Sequence, residues 1–375
     1  MEGLGSVRCS AVSLASFFPI ILVSSASVAY EIFTAHDVNI SSRNLPTNEG
    51  SSLFDTSGFV TAPYGGYFKF MKKLIVTKLL GPNAQVQSRS IRADELERLR
   101  GILLDKGRKK ESGDINKETR KLVGNIVARM TMGGSFTEEN GDIESIQSLV
   151  AKANASKIKT ALSILIFGQL EKLGISWFKK RTVFKKFDRL LERFLMEHKE
   201  KPNRDRRIDM MDVLLAVSED ENAEYKITRN NIKSFLVPVG GFFVPEKNVV
   251  MRDPNVWENP LEFKPERFLT SSSSGQEEER KRQALKYLPF GSGRRGCPAS
   301  SLAYMIVGTT IGMMVQCFDW SIKGEKVNMD ECFKEFTRAM AYPLTFTPVT
   351  RISTFDLENS LNLQIIIMII DIVDL

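Results

Sequence analysis

Apolar residues recur at helical spacing over much of the stretch from residue 60 to 235. Phe187, Leu190, Leu191, Phe194 and Leu195 stand at i, i+3, i+4, i+7 and i+8, the stripe of a helix that buries one face. Leu122, Ile126 and Met130 repeat every four residues, with Asp114 or Asn116 placed to cap the helix start. Val213, Leu214 and Leu215 open another apolar face. Charged stretches at 106–111 and 199–207 read as solvated loops between helices. Near the start, Ile20 to Val23 predicts a strand and Ser25 to Thr34 a short helix. The texture changes after Leu236. Residues 237–245 are strand and turn material, and 251–268 carries Pro254, Pro260 and Pro265, which predict an extended, meandering loop. Ser271 to Gly275 reads as a flexible surface loop. From Ser300 to about Phe318 the chain predicts a helix that is apolar nearly all round, hence buried at the centre of the domain. The pattern is that of a mainly α protein with small β elements and no internal repeats.

Composition narrows the function classes. The 375 residues are 42% hydrophobic, enough for a sizeable core. Lys+Arg is 52 against Asp+Glu 45, a net charge of +7 that suits an acidic protein partner or an anionic membrane surface without demanding nucleic acid. Four cysteines (Cys9, Cys297, Cys317, Cys332) and two histidines (His36, His198) lack the close pairs of a zinc site, and so few cysteines read as a reduced, intracellular protein. Residues 1–30 resemble a signal peptide only superficially: Glu2 offsets Arg8 and Pro19 interrupts the apolar run. No apolar run reaches the ~20 residues of a membrane span. Ile365 to Ile370 reads as an exposed, aggregation-prone tail.

The candidate chemistry lies in L-P-F-G-S-G-R-R-G-C-P-A-S, residues 288–300. Gly291 to Gly296 fits the G-x-G-x-x-G of a phosphate-cradling loop, which makes an NAD(P)-binding protein one alternative. The preceding strand is short and carries Pro289, and Arg294 and Arg295 sit where a helix should begin against a pyrophosphate. Two arginines beside an apolar helix do not form a nucleic-acid reader. A third reading uses every residue. Cys297 stands before Pro298, a favoured first helical residue, so its sulfur would sit at a helix N-terminus that stabilises a thiolate. Such a thiolate is an axial ligand for haem iron. The glycines let backbone pass against a flat macrocycle, Arg295 would pair with a propionate, and Phe290 would shield the sulfur. An inert buried cysteine beside a turn is the plain alternative.

Phe290-x-x-Gly293-x-Arg295-x-Cys297 resembles the cysteine-loop signature F-x-x-G-x-R-x-C of the cytochromes P-450, the haem-thiolate monooxygenases. The fuller stretch 289–298 is similar to the plant A-type branch. So are Arg252-Asp253-Pro254 with Trp257 and Pro260, and Phe263-Lys264-Pro265-Glu266-Arg267-Phe268. The resemblance covers residues 20–350, with 1–19 a leader and 351–375 a tail that match nothing in the family. It implies a mainly α fold with small β-sheets. It implies haem b with Cys297 as iron ligand, and Phe290, Gly293, Arg295, Cys297, Ala299 and Lys72 as cofactor-binding positions. Phe68 and Lys72 stand where the family has a W-x-x-x-R helix, and Ala341 to Leu344 where it has a substrate-contacting turn. Implied partners are an NADPH–cytochrome P-450 reductase, which alone handles NADPH, and a hydrophobic plant metabolite of triterpene or phenylpropanoid type, with no nucleic acid. Lys72, Lys73, Arg294 and Arg295 are candidates for the reductase face. The implied location is the cytosolic face of the endoplasmic reticulum, with peripheral membrane contact, or the cytoplasm, since the family's N-terminal anchor and proline-rich hinge are missing.

The chain departs from the pattern in ways that bear on activity. The family's central oxygen-binding helix carries A-G-x-[D/E]-T-[T/S], and no such motif occurs here. Ile227 to Leu236 is similar to the lead-in of that helix, after which the chain passes at 237–239 into what resembles a strand well beyond it. The K-helix E-x-x-R is lost in the same gap. Glu95 to Arg98 and Glu277 to Arg280 fit that pattern outside its context. Arg267 is therefore expected to be a buried arginine without its usual partners. Ala299 replaces the glycine after Cys-Pro, which predicts overpacking near the haem face. No catalytic residue is identifiable. Two functional readings follow: a haem monooxygenase, impaired in this chain, and an inactive remnant that does not hold haem.

Overall fold

A computed structural model describes residues 9–12, 20–23, 25–42, 58–60, 62–133, 177–200, 209–236, 251–268, 286–322, 327–328, 330–334 and 337–351. The expected strand at 237–245, the junction at 237–239, the loop at 271–275 and the tail after 352 lie outside these residues. Ten helices and seven strands are described. The helices are α1 (Ala26–Ala35), α2 (Asp37–Ile40), α3 (Gly66–Lys78), α4 (Pro82–Gln87), α5 (Arg89–Lys109), α6 (Ile115–Met132), α7 (Trp177–Glu200), α8 (Met210–Glu219), α9 (Arg229–Leu236) and α10 (Ser300–Cys317). The strands are β1 (Cys9–Val12), β2 (Ile20–Val23), β3 (Gly113–Asp114), β4 (Phe318–Ile322), β5 (Glu331–Lys334), β6 (Thr337–Met340) and β7 (Thr345–Thr350). β1 pairs with β2 and β5 with β6, while β7 lies between β3 and β4, all antiparallel.

Two apolar cores carry the helices. In the first, Met71 and Ile75 of α3 meet Met132 of α6, Leu191 and Leu195 of α7, Met210, Met211 and Leu214 of α8, and Ile232 of α9. In the second, Leu96, Leu99 and Leu103 of α5 meet Leu122, Ile126 and Met130 of α6, Leu302, Ile306 and Met313 of α10, and Phe318. The predicted stripes at 122–130 and 190–195 thus face their cores. α6 starts as its sequence dictates: the Asp114 carboxylate accepts from the Asn116 and Lys117 backbone N–H groups. α8 opens with a reciprocal box in which Asp209 and Asp212 each accept the other's backbone N–H. α5 runs through Lys109, so most of the charged stretch expected as a loop is helix; its last turn carries Lys106, Arg108 and Lys109, which complement the helix dipole.

The fully buried α10 does not materialise. Leu302, Ile306, Thr309, Met313 and Cys317 are buried, but Tyr304, Val307, Ile311 and Val315 are exposed at 57%, 52%, 55% and 56%. One apolar face packs on α5 and α6, and the other faces outward. α10 is also the one helix among the described residues long and apolar enough to cross a membrane. The asymmetry has a measurable consequence. Met313→Ala is expected to cost about 2–5 kcal/mol in urea unfolding, whereas Ile311→Gln should change stability by no more than ~0.5 kcal/mol.

Glu95 ties α5 to α6 inside the second core's rim. Its side chain is 8% exposed and accepts from Arg98 Nε at 2.9 Å, Asn125 Nδ2 at 2.9 Å and Arg129 Nη1 at 3.0 Å. Burial pushes this carboxyl up, but the donors Asn125, Arg98 and Arg129 outweigh burial and hold it below the usual value. The E-x-x-R spacing at Glu95 and Arg98 is therefore a structural tie. Glu95→Ala would leave the buried Asn125 amide without this acceptor and Arg129 with Asp94, and a loss of about 1–3 kcal/mol is expected. Because the folded carboxyl is lowered, its contribution is complete above the unfolded value of ~4.3 and vanishes as pH falls through the lower folded value. Urea midpoints of wild type and variant should differ at pH 7 and converge toward pH 3.

Candidate functional site

The cysteine loop hangs between a short aromatic ladder and the start of α10. The Asp253 carboxylate accepts the Ala26 N–H at 2.9 Å and so caps α1, while its carbonyl accepts from Val256 and Trp257. Trp257, Phe268 and Tyr287 then follow ring to ring at 5.5 and 5.2 Å. Arg267 is half-buried, stacks over Trp257, and donates to the carbonyls of Lys264, Glu262 and Asn259. The expected buried, stranded arginine is thus corrected: nearby backbone satisfies it.

Leu288, buried against Ala26 and Ala29, anchors the loop's entry. Gly291 and Gly293 both adopt positive φ, 73° and 66°, a region that favours glycine. A 3-10 turn at Gly293–Arg295 closes with Gly296 N–H on the Gly293 carbonyl at 3.0 Å, and Cys297 N–H returns to the Phe290 carbonyl at 2.9 Å. This backbone bond presents the Cys297 thiol outward, and the residue is exposed. Cys317 contrasts with it: buried in the second core, its thiol is pushed up by burial, so it is the inert cysteine of the pair.

One expectation about the loop changes, the place where its helix begins. α10 begins at Ser300 with Ala299 as its N-cap, so Pro298 precedes the helix and Cys297 stands one turn ahead of it. Ala299 sits at φ −96°, where any residue is at ease, and the position has no conformational need for glycine. Phe290 packs edge-on against the Tyr304 ring at 5.0 Å.

The basic residues converge on this loop from a neighbouring helix. Arg295 lies 3.8 Å above the Phe68 ring of α3, donates from Nε to the Ser41 carbonyl at 2.5 Å, and donates from Nη2 to the Ala62 carbonyl. Phe68 is stacked on Phe59 at 5.1 Å. Lys72, one turn further along α3, donates to the Arg294 carbonyl at 2.7 Å. Arg294 pairs with Asp37 at 3.0 Å and lies over Tyr64. Phe68 and Lys72 of α3 thus meet Arg294 and Arg295 of the loop that leads to Cys297, with Asp37, Ser41 and Tyr64, which no local pattern pointed to, beside them. The donor set fits a haem: one exposed thiol on a glycine-relieved loop, with lysine and arginine groups beside it for carboxylates. The residues expected to line a substrate turn, Ala341 to Leu344, lie between β6 and β7, and Leu344 accepts the Ile115 N–H at 3.1 Å.

A cluster of His198, Asp209 and Asp212 lies far along the chain from this loop, where the α8 capping box already uses the carboxylates. The Asp209 hydrogen bond to Nε2, at 3.1 Å, raises the His198 imidazole above its usual value against the opposing effect of burial.

Comparison with known proteins fits this geometry. The family model described as "Cytochrome P450" matches residues 16–239 and 228–341, in two parts that overlap at 228–239. "Cytochrome P450 705A22" of Arabidopsis thaliana is 50% identical over 423 residues, covering 89% of this chain and 82% of that protein. "Cytochrome P450 705A5" of the same plant is 44% identical, covering 89% and 83%. A "3,9-dihydroxypterocarpan 6A-monooxygenase" of Glycine max is 27% identical, covering 90% and 86%. Among solved structures, one titled "Zebra fish cytochrome P450 another structure with Progesterone" has a TM-score of 0.67 at 16% identity, covering 91% of this chain and 96% of that one, which shows the shared fold. The chain belongs to the cytochrome P-450 family, the haem-thiolate monooxygenases, whose iron is held by a cysteine thiolate and whose electrons come from a partner reductase.

Proposed function

We propose that this chain is a haem-dependent monooxygenase of reduced activity, acting on a hydrophobic plant specialised metabolite, with Cys297 as the iron ligand. The observation that carries it is the exposed Cys297 thiol on a loop closed by its own backbone bond to Phe290 and flanked by Lys72 and Arg295. Bound haem would supply O₂ activation and insertion of one oxygen atom into the substrate. The chain's own part would be to hold the thiolate at Cys297, to present the Lys72 and Arg295 cations for the haem's carboxylates, and to shield the sulfur with Phe290.

The reduced activity follows from what the 375 residues lack. No A-G-x-[D/E]-T occurs, so no acid–threonine pair is present to pass protons. The two-part family match supports an internal loss near 237–239. So does an alignment of 423 residues drawn from 89% of this chain, which must leave residues of the relative opposite a gap. The outward apolar face of α10 fits the same reading, as a flank from which a packing partner has gone. On this account residues 20–350 form an incomplete domain between a leader and a tail.

For the substrate, the pterocarpan named for the soybean relative supports a polycyclic, phenylpropanoid-like molecule, with a triterpene-like one as the alternative. The basic loop face suits an acidic reductase, and family resemblance supports a location at the cytosolic side of the endoplasmic reticulum. The test is product formation with reductase, NADPH, ¹⁸O₂ and a panel of such compounds. A labelled product is expected at a rate about 10²–10⁴-fold below that of the 50%-identical relative. Equal rates would refute the impairment, and a product without ¹⁸O would refute the reaction class.

A further inference from the structure

We infer that Asp37 is a positioning residue for the cysteine loop: with Lys72 it brackets the backbone of Arg294 and fixes how Cys297 is presented. The inference deepens the reading of Cys297 as iron ligand and rests on it for its catalytic meaning. Asp37 opens α2, and its side chain is 14% exposed. Both carboxylate oxygens lie 3.2 Å from the Arg294 backbone nitrogen, and Oδ2 is 3.0 Å from Arg294 Nη1. On the other side of the same residue, the Lys72 ammonium donates to the Arg294 carbonyl at 2.7 Å. One residue, Arg294, is thus held at its backbone N–H by an anion from α2 and at its C=O by a cation from α3, across two adjacent peptide units.

The grip reaches Cys297 within three residues. Arg294 lies in the 3-10 turn whose closing bond joins Gly296 to Gly293, and Cys297 follows directly, bonded back to Phe290. Gly293 belongs to the same device. A Cβ at this position would lie 2.4 Å from Asp37 Oδ1, so the carboxylate fills the space that glycine leaves open. The Ser41 hydroxyl, donating to the Asp37 carbonyl at 2.5 Å, steadies the short helix from which Asp37 projects. An exposed Asp–Arg pair alone would hold little. The charge-assisted bond to a backbone N–H is what ties Asp37 to the loop's conformation.

Limited trypsin digestion of the full-length chain without haem tests the bracket, because Arg294 and Arg295 are themselves cleavage sites. Asp37→Ala is expected to speed cleavage after these two residues about tenfold, as the population of the opened loop rises. Asp37→Asn keeps an acceptor for the Arg294 N–H and should restore most of the protection. Cleavage elsewhere and the melting temperature should stay as in wild type. An unchanged rate in Asp37→Ala, or equal acceleration at every site, would overturn the inference. In haem-loaded protein the fraction of the reduced carbon monoxide complex in the thiolate form should fall in Asp37→Ala and recover in Asp37→Asn. If wild type gives no thiolate form while loop cleavage still responds to Asp37, the ligand reading fails and the bracket stands.

Discussion

Inserting between Val237 and Val239 the segment of the 50%-identical relative that has no counterpart here is expected to raise oxygenated product by about 10²–10⁴-fold, the usual worth of positioned proton transfer. The structure supplies a reason to expect the graft to seat. α9 begins with Thr228 and Asn231 capping each other, the Asn231 side chain accepting the Thr228 N–H at 2.8 Å and Thr228 Oγ1 accepting the Asn231 N–H at 3.2 Å. Lys233 is fastened to Asp188 and to Glu192 of α7 at 2.6 Å each, and Ile232 and Leu236 are buried in the first core. A helix start so firmly anchored is described for only eight residues, through Leu236, close to the proposed junction. It can serve as the base of a longer helix carrying the acid and threonine. Product formation by reconstituted wild type and graft, measured side by side, checks this. No gain from a graft that binds haem would place the defect elsewhere.

Cys297→Ser is expected to remove the thiolate-type Soret band completely, while Cys317→Ser leaves it intact. A serine hydroxyl stays neutral at working pH, so it offers iron no anionic sulfur and none of the electron release that favours O–O cleavage. Cys317 is a sound control because it ends α10 buried in the second core, with its thiol pushed up by that burial. Absorption spectra of the three haem-loaded proteins decide it. A band that survives Cys297→Ser would move the ligand to another residue.

The two cores were legible because their signal is local. A stripe such as Leu122, Ile126 and Met130 needs only 3.6-residue periodicity, and Asp114 needs only its position before that stripe. α10 defeated the same reasoning. Periodicity reports that both faces are apolar, but whether each has something to pack against depends on other segments, and here one face stays largely exposed, with Phe290 on Tyr304 at its start. Pro298 pointed to a helix start two residues early, because a turn at 298–299 intervenes before Ser300. Arg267 was misjudged by sequence distance: its partners are carbonyls three to eight residues away, in a loop whose path prolines alone do not determine. The loop residues Phe290, Gly293, Arg295 and Cys297 were legible as a motif, and Phe68 and Lys72 by resemblance. Asp37 was not, since nothing local links an aspartate to an arginine 257 positions later.

The central claim is that the loop from Phe290 to Cys297 still holds a haem by its sulfur. The reduced carbon monoxide difference spectrum of the full-length chain, expressed with haem supplied, tests it most directly. The account predicts a red-shifted thiolate-type Soret band in proportion to bound haem. Bound haem with only the band of a neutral or nitrogenous ligand, or no haem bound at all, would contradict it.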